Sequence, residues 1–433
     1  MAKRNRVIYQ SEALFVTHQY TGGQIVDFVD GTHYDNEPGH LGDGSEITSG
    51  MFHQIHRLQS ANYNFAISRQ DVNQYGNLAR IDTTVLEAPT VNLDFTYLIT
   101  DGTNEDKLGI TTHAEQAQTG ALSGVLANIS GRNYHILTVA EGTDANADSD
   151  SGKSANAANS VISIGNGYIT NYSVNAAIGG VPTASVSVEG LNITAESAST
   201  GMHTPAVNTT GNRTGYARFS LPNPQSGDVG YILRPGDMSI ELNDATGLLA
   251  HFTSGVASPG APAHDTVTSA HIQSFNIDVP LGRSVINRMG NAFGFSREID
   301  FPITVSASIS AIVADLALEK GRRNLFNELY TTAKHNMRII MRKASDAASS
   351  KSSANDQIIF ELKGVTLDSE SFSSAIGDNK TVDLGFTATV GGGGDTVNGL
   401  FISGAMDPSP DTAGWQSRAS GAIPDEQRRD SSN

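Results

Sequence analysis

A chain of 433 residues with 38% apolar and 17% charged side chains, 44 Gly and one Trp has length for two or three cored domains. Its composition suits a β-rich protein with many turns better than a helical one. Zero Cys excludes disulfides, thiolate metal sites and cysteine nucleophiles, and a formal net charge of −17 excludes ordinary duplex-DNA binding, which needs a basic footprint.

The start, Met1 to Arg6, is basic, but no apolar stretch follows it, so no secretory signal is expected. No run of about 18 apolar residues marks a membrane span. Residues 1–52 read as an N-terminal arm with one strand-like run, Ala13–Val16. His33, His40, His53 and His56 fit no zinc spacing and are expected at the surface.

Residues 53–195 form a first domain. Val91, Leu93, Phe95, Tyr97 and Ile99 alternate with mostly polar neighbours, the period of a strand with one buried face. Leu122, Val125, Leu126 and Ile129 share one stripe of a helix over 121–129. A strand is expected at Tyr134–Val139, then an acidic loop insertion over 141–158. Ala184, Val186 and Val188 alternate in a strand that follows a hairpin turn at Gly179-Gly180, which can supply positive φ.

Residues 196–270, rich in Gly, Pro, Thr and Asn, read as an inserted β or loop segment, because a structureless connection of that length is unusual. Residues 271–391 form a second domain. An alternating strand runs from Phe301 to Ile309, a helix is expected over 324–335 with Leu325, Phe326, Leu329 and Ala333 on one side, and strands return at Met337–Met341 and around Leu384 and Phe386. Gly377 marks its hairpin. Residues 392–433, after Gly391 to Gly394, are a polar tail.

The two domains match each other. Leu58 to Asn62 aligns with Ile272 to Asn276 at an offset of 214 (273 − 59), and without gaps Gln59, Ser60, Asn62, Arg69, Asn73, Gly76 and Asn77 recur as Gln273, Ser274, Asn276, Arg283, Asn287, Gly290 and Asn291. That is seven identities over positions 58–77, where chance gives about one. A second block, Ser173, Ala177, Ile178, Gly179 and Thr183, recurs as Ser371, Ala375, Ile376, Gly377 and Thr381 at an offset of 198 (371 − 173). The difference of 16 residues (214 − 198) fits within the acidic loop of the first domain. A duplicated domain is therefore expected, mainly β, each copy a sandwich or half-barrel with one flanking helix.

Ile169 to Val174 continuing through Gly179-Gly180-Val181-Pro182-Thr183 to Asn192, together with Gln74 to Asp82 and Pro89 to Phe95, resembles the tail tube proteins of long-tailed bacteriophages. The resemblance covers roughly residues 53–195 and more weakly 270–391. It implies a structural virion protein, made in the host cytoplasm, whose inner sheets join a ring-wide β-barrel. Rings stack into the conduit for DNA ejection, in contact with other tail proteins and with DNA that passes without specific binding, and no membrane is involved. With two domains per chain, three chains would fill a pseudo-sixfold ring, a hexamer being the alternative.

No catalytic constellation is found, so no enzyme, cofactor or metal is expected. Gly152-Lys153-Ser154 has Ala147 where a phosphate loop needs glycine. Asp144, Asn146, Asp148 and Asp150 have calcium-loop spacing, but Ser149 and Ala155 stand where the turn glycine and bidentate glutamate belong. The repeated Arg69, Asn73, Asn77, Arg283, Asn287 and Asn291 are candidates for contacts between subunits or rings, or for a local turn that each copy needs. Other readings are a decoration or baseplate component, or a carbohydrate-binding β-sandwich. The last would need aromatic-lined clefts, which one Trp and 7% aromatic residues do not favour.

Overall fold

The computed structural model describes residues 12–18, 24–26, 33–35, 52–86, 88–113, 119–127, 131–139, 144–145, 159–198, 202–208, 238–242, 270–294, 296–313, 334–342, 356–373, 381–392 and 394–403, with a few isolated positions between. The chain is mainly β. Its elements begin with β1 (Glu12–His18), β2 (Gln24–Val26), β3 (His33–Asp35), β4 (His53–Gln54), β5 (Leu58–Ala66), β6 (Arg69–Val72), β7 (Asp82–Val85) and β8 (Thr90–Leu98). There follow α1 (Thr103–Lys107), β9 (Thr112–His113), α2 (Ser123–Ala127), β10 (Arg132–Thr138), β11 (Ser160–Ala177), β12 (Thr183–Gly190) and β13 (Asn192–Ser197). Two short strands, β14 (Met202–His203) and β15 (Arg218–Phe219), precede β16 (Met238–Leu242), β17 (Ala270–Pro280), β18 (Arg283–Ile286) and β19 (Ser296–Ile299). The last are β20 (Thr304–Val313), β21 (His335–Arg342), β22 (Asp356–Ser373), β23 (Thr381–Thr389) and β24 (Gly399–Ser403).

A front sheet runs β5-β8-β12-β11-β17-β20-β23-β22, all antiparallel. Strands β11 and β22, each 18 residues long, continue past it into back layers. There β11 pairs with β10 and β13, and β10 with β1; β22 pairs with β21 and β24, and β21 with β16. Two long strands thus hold front and back together, and the apolar faces meet between them. Val91, Leu93, Phe95 and Tyr97 are buried in β8 as their alternation requires, and the same core contains Val305, Ala307 and Ile309 of β20 and Leu384 and Phe386 of β23.

The pairing registers repeat. Phe95 faces Val186 as Ile309 faces Leu384, and Tyr172 faces Val186 as Glu370 faces Leu384. These partners stand apart by the same offsets, 214 (309 − 95) and 198 (384 − 186), that relate the sequence blocks. Even the bulges recur, between Ile169 and Asn171 and between Leu367 and Ser369. Hairpin β6–β7 has its counterpart in β18–β19, with Gly76 and Gly290 at φ of 88° and 87° in the two tips, a conformation that suits glycine.

Several expectations change. Of the helix read over 121–129, residues 121–122 form a turn and Ser123–Ala127 the helix, with 128–129 outside the described residues, and an unforeseen helix, α1, precedes it. Phe301 lies outside its strand and is exposed; Pro302 beside it has no N–H to give the ladder. His53 and His56 are buried, not at the surface. Strand β1 of the N-terminal stretch and β16 of the 196–270 segment take matching places beside β10 and β21. The helix over 324–335, the Gly377 turn, the Gly152 to Ser154 run, His40, the tail past 403 and nearly all of the acidic loop lie outside the described residues.

Candidate assembly interface

The middle of the front sheet is a junction between the two sets of strands. Residues 171–177 of β11 pair with 274–280 of β17. The ladder is extended at both ends by the Leu281 N–H donating to the Thr170 carbonyl at 2.8 Å and the Ile178 N–H donating to the Gln273 carbonyl at 2.9 Å. The Asn171 side-chain amide donates to Asp278 across it, at 3.1 Å. Ile277, Val279, Leu281, Tyr172 and Val174 have 0% exposure there.

Hairpin β18–β19 covers one end of the junction. The Arg283 guanidinium lies 4.7 Å from the ring centre of Tyr168, that of Arg297 5.7 Å, within cation–π range. Arg297 Nη1 also meets Glu189 Oε1 at 2.9 Å. Burial raises the Tyr168 phenol above its ordinary pKa against the pull of both guanidiniums, and lowers that of Arg283.

Among the described residues, the outer strands of the front sheet have no further strand beside them. On β5 and just past its end, the counterparts of Ile277, Val279 and Leu281 are Tyr63, Phe65 and Ile67, and they are 39%, 62% and 44% exposed. At the far end, residues 366–373 of β22 pair only with β23 among the described strands. Phe372, the counterpart of the fully buried Val174, is 38% exposed there. Positions that are dry inside the chain are wet at its two ends. Exposed edges of this kind template further strand pairing.

Of the six candidate contact residues Arg69, Asn73, Asn77, Arg283, Asn287 and Asn291, Arg283 is the one that reaches Tyr168 at the internal junction among the described contacts. Arg69 starts β6 on an exposed surface. Asn73, Asn77, Asn287 and Asn291 lie in the hairpin tips, where Asn77 N–H donates to the Gln74 carbonyl and Asn291 N–H to the Arg288 carbonyl, the local turn role open to them. Sequence reasoning missed Tyr168, Glu189 and Arg297, whose positions at the offsets of 198 and 214 are held by Thr366, Thr387 and Thr83. It also missed the exposed apolar row, although the alignment of Tyr63, Phe65 and Ile67 with three apolar residues was a usable signal.

The front sheet's other face is polar. It carries Asn62, Asn64, Asn92, Asp94, Thr96, Asn171, Ser173, Ser185, Ser187, Glu189, Asn276 and Asp278, with Ser306, Ser308, Ser369, Ser371 and Asp383 farther along. Cross-strand bonds link it, such as Ser187 to Asp94 at 2.6 Å and Asn92 to Asn64 at 3.2 Å. No Lys or Arg stands at these strand positions.

Behind the sheet, the fully buried Glu105 of α1 accepts bonds from the Tyr97 hydroxyl at 2.9 Å and the Tyr172 hydroxyl at 3.1 Å. Burial pushes its carboxyl up, partly countered by those bonds. The enclosed triad ties α1 to β8 and β11. Among the described residues no group of three or more His, Asp and Glu is placed to hold a metal ion, and no helix is long and apolar enough to cross a membrane. No protein-family model matches the chain, and no curated protein matches it in sequence.

Proposed function

We propose that the chain is a structural subunit, carrying two copies of one assembly domain, that joins copies of itself edge to edge. The observation that carries this reading is the match between the open edges and the internal junction. β5 is the counterpart of β17, and β22 of β11, so the β22 edge of one chain fits the β5 edge of the next. Repeating the internal register sets Phe372 opposite Tyr63 and Glu370 opposite Phe65, as Val174 stands opposite Ile277 and Tyr172 opposite Val279. The contact is heterologous and closes into a ring when the rotation allows.

Three chains would supply six front-sheet units and close them into one barrel, which removes every open edge. The polar face, whose strand positions carry carboxylates and no Lys or Arg, with Arg283 and Arg297 of the β18–β19 hairpin laid over Tyr168 and Glu189 at one end, would then line the channel and over most of its area repel a polyanion. Stacked rings of this kind are the tail tube of a long-tailed phage, a non-enzymatic virion part through which DNA is ejected, and the resemblance noted in the sequence agrees. Electron microscopy of the purified chain tests the reading, with rings or hollow tubes as the expected result. The Leu281 amide points to β11, so by alternation Val279 and its counterpart Phe65 point their amides the same way. Phe65→Pro removes one outward donor at an edge, where proline is tolerated, and should abolish assembly while the fold is kept. Tubes formed equally by this variant, or persistent wild-type monomers, would overturn the reading.

A further inference from the structure

The internal junction and the open edges differ in their hairpin chemistry. Tyr168 pairs with Glu189 as Thr366 pairs with Thr387, so the two threonines occupy the places that receive the arginines inside the chain. Neither offers a charge or a ring. A carboxylate stands there instead: Asp368, at the β22 bulge, accepts bonds from the Thr366 hydroxyl at 3.2 Å and from the Thr387 hydroxyl. Two hydroxyl donors hold it, exposed, over that site.

The opposite edge carries the complement. Arg69 pairs with Val85 as Arg283 pairs with Ile299, so its guanidinium leaves the hairpin where that of Arg283 does. Arg283 is half-buried against Tyr168, whereas Arg69 is exposed. The counterpart of Arg297 is Thr83. At this site the two edges therefore offer charges of opposite sign, Asp368 on one and Arg69 on the other.

We infer that a second copy of this chain docks with its Arg69 guanidinium on the Asp368 carboxylate, so that an ion pair closes the junction between chains where stacking on Tyr168 and the Arg297–Glu189 bridge serve within one. This rests on the edge-joining reading. The same register brings the Ile67 N–H to the Asp368 carbonyl, as Leu281 meets Thr170. A rim ion pair is screened over a Debye length of about 8 Å at physiological salt, so closure responds to ionic strength while the junction inside each chain does not.

Sedimentation of the full-length chain against concentration tests the inference, with circular dichroism as the folding control. Arg69→Asp and Asp368→Arg, both at exposed positions, should each raise the concentration needed for assembly by roughly tenfold or more. The double variant Arg69→Asp with Asp368→Arg should recover it, and added salt should weaken wild type and double variant alike. Single variants that assemble like wild type, or a double variant no better than the singles, would overturn the ion pair and leave the edge-joining reading standing. A wild type that stays monomeric at every salt concentration, like Phe65→Pro, would overturn both.

Discussion

Arg297 crosses from one set of front-sheet strands to the other to meet Glu189 at 2.9 Å, its own side chain 8% exposed and that of its partner 34%. The contact fixes hairpin β18–β19 against the end of β12. Arg297→Met should therefore destabilise the chain by about 1–3 kcal/mol, the cost of leaving a half-covered charge without its partner. Glu189→Gln should cost no less, because it leaves the more buried Arg297 guanidinium facing only a neutral acceptor. A double-mutant cycle in urea should show coupling above about 0.5 kcal/mol; additive effects would mean that the bridge does not hold the hairpin.

Acid should weaken the fold through buried imidazoles. His135, between Ser163 at 2.8 Å and Thr17 at 3.4 Å, is pushed by burial from 6.5 to about 3. His56 is likewise held at about 3, by burial first and then by Lys107 and Arg57. Between pH 6.5 and 3 the unfolded chain binds the proton and the folded chain does not, so stability falls as pH falls through this window. Each histidine should account for about 2 kcal/mol between pH 7 and 5. Glu105, raised by burial, works the other way: its contribution is complete below the ordinary glutamate pKa and is lost as pH rises through the higher folded value. His135→Gln should flatten the acid limb of urea stability against pH, and an unchanged slope would refute the assignment.

The strand that joins front and back has no room where it turns. A Cβ at Gly167 would stand 2.7 Å from the Tyr134 ring and 2.9 Å from Val188. Gly167→Ala should cost about 1–3 kcal/mol by overpacking, seen as a lower thermal midpoint. The Tyr134 ring sits beside Phe95, 6.2 Å between centres, so the disturbance should reach the core near β8 and appear in near-ultraviolet dichroism.

Ser308 projects from the polar face of β20, exposed. Ser308→Lys should leave stability within about 0.5 kcal/mol, since the site is not packed. In assembled tubes it would add one positive ring per layer, so DNA retention should rise and disappear again with salt. Retention measured by filter binding that does not change would remove Ser308 from the channel wall.

Much of the sheet could be read from residues. The alternation from Val91 to Ile99 survives because β8 has one dry and one wet face, so side-chain polarity follows the pleat. The offsets of 214 and 198 reappear as strand registers because a one-residue slip would turn every core residue outward. Other features leave no periodic trace. β11 passes between layers at Gly165-Asn166-Gly167, where Asn166 takes a φ of 55°, a backbone event that no pattern announces. His56 is buried where its backbone N–H and carbonyl are both bonded by the Asn104 side chain, at 3.0 and 2.8 Å, a partner 48 residues away that composition does not point to. The junction residues Tyr168, Glu189 and Arg297 were hidden because matching two sequence segments reveals what they share, and these three are not shared.

The β11–β17 pairing has a kinetic meaning as well as a structural one. Because both partners belong to one polypeptide, this joint forms at the effective concentration set by a tether and not at that of free protein, commonly millimolar for short links. In a ring of such chains every second joint is made before any encounter occurs. Only the remaining joints of the proposed ring would be left to mass action, so dilution, salt or a competing strand would open it at those places alone.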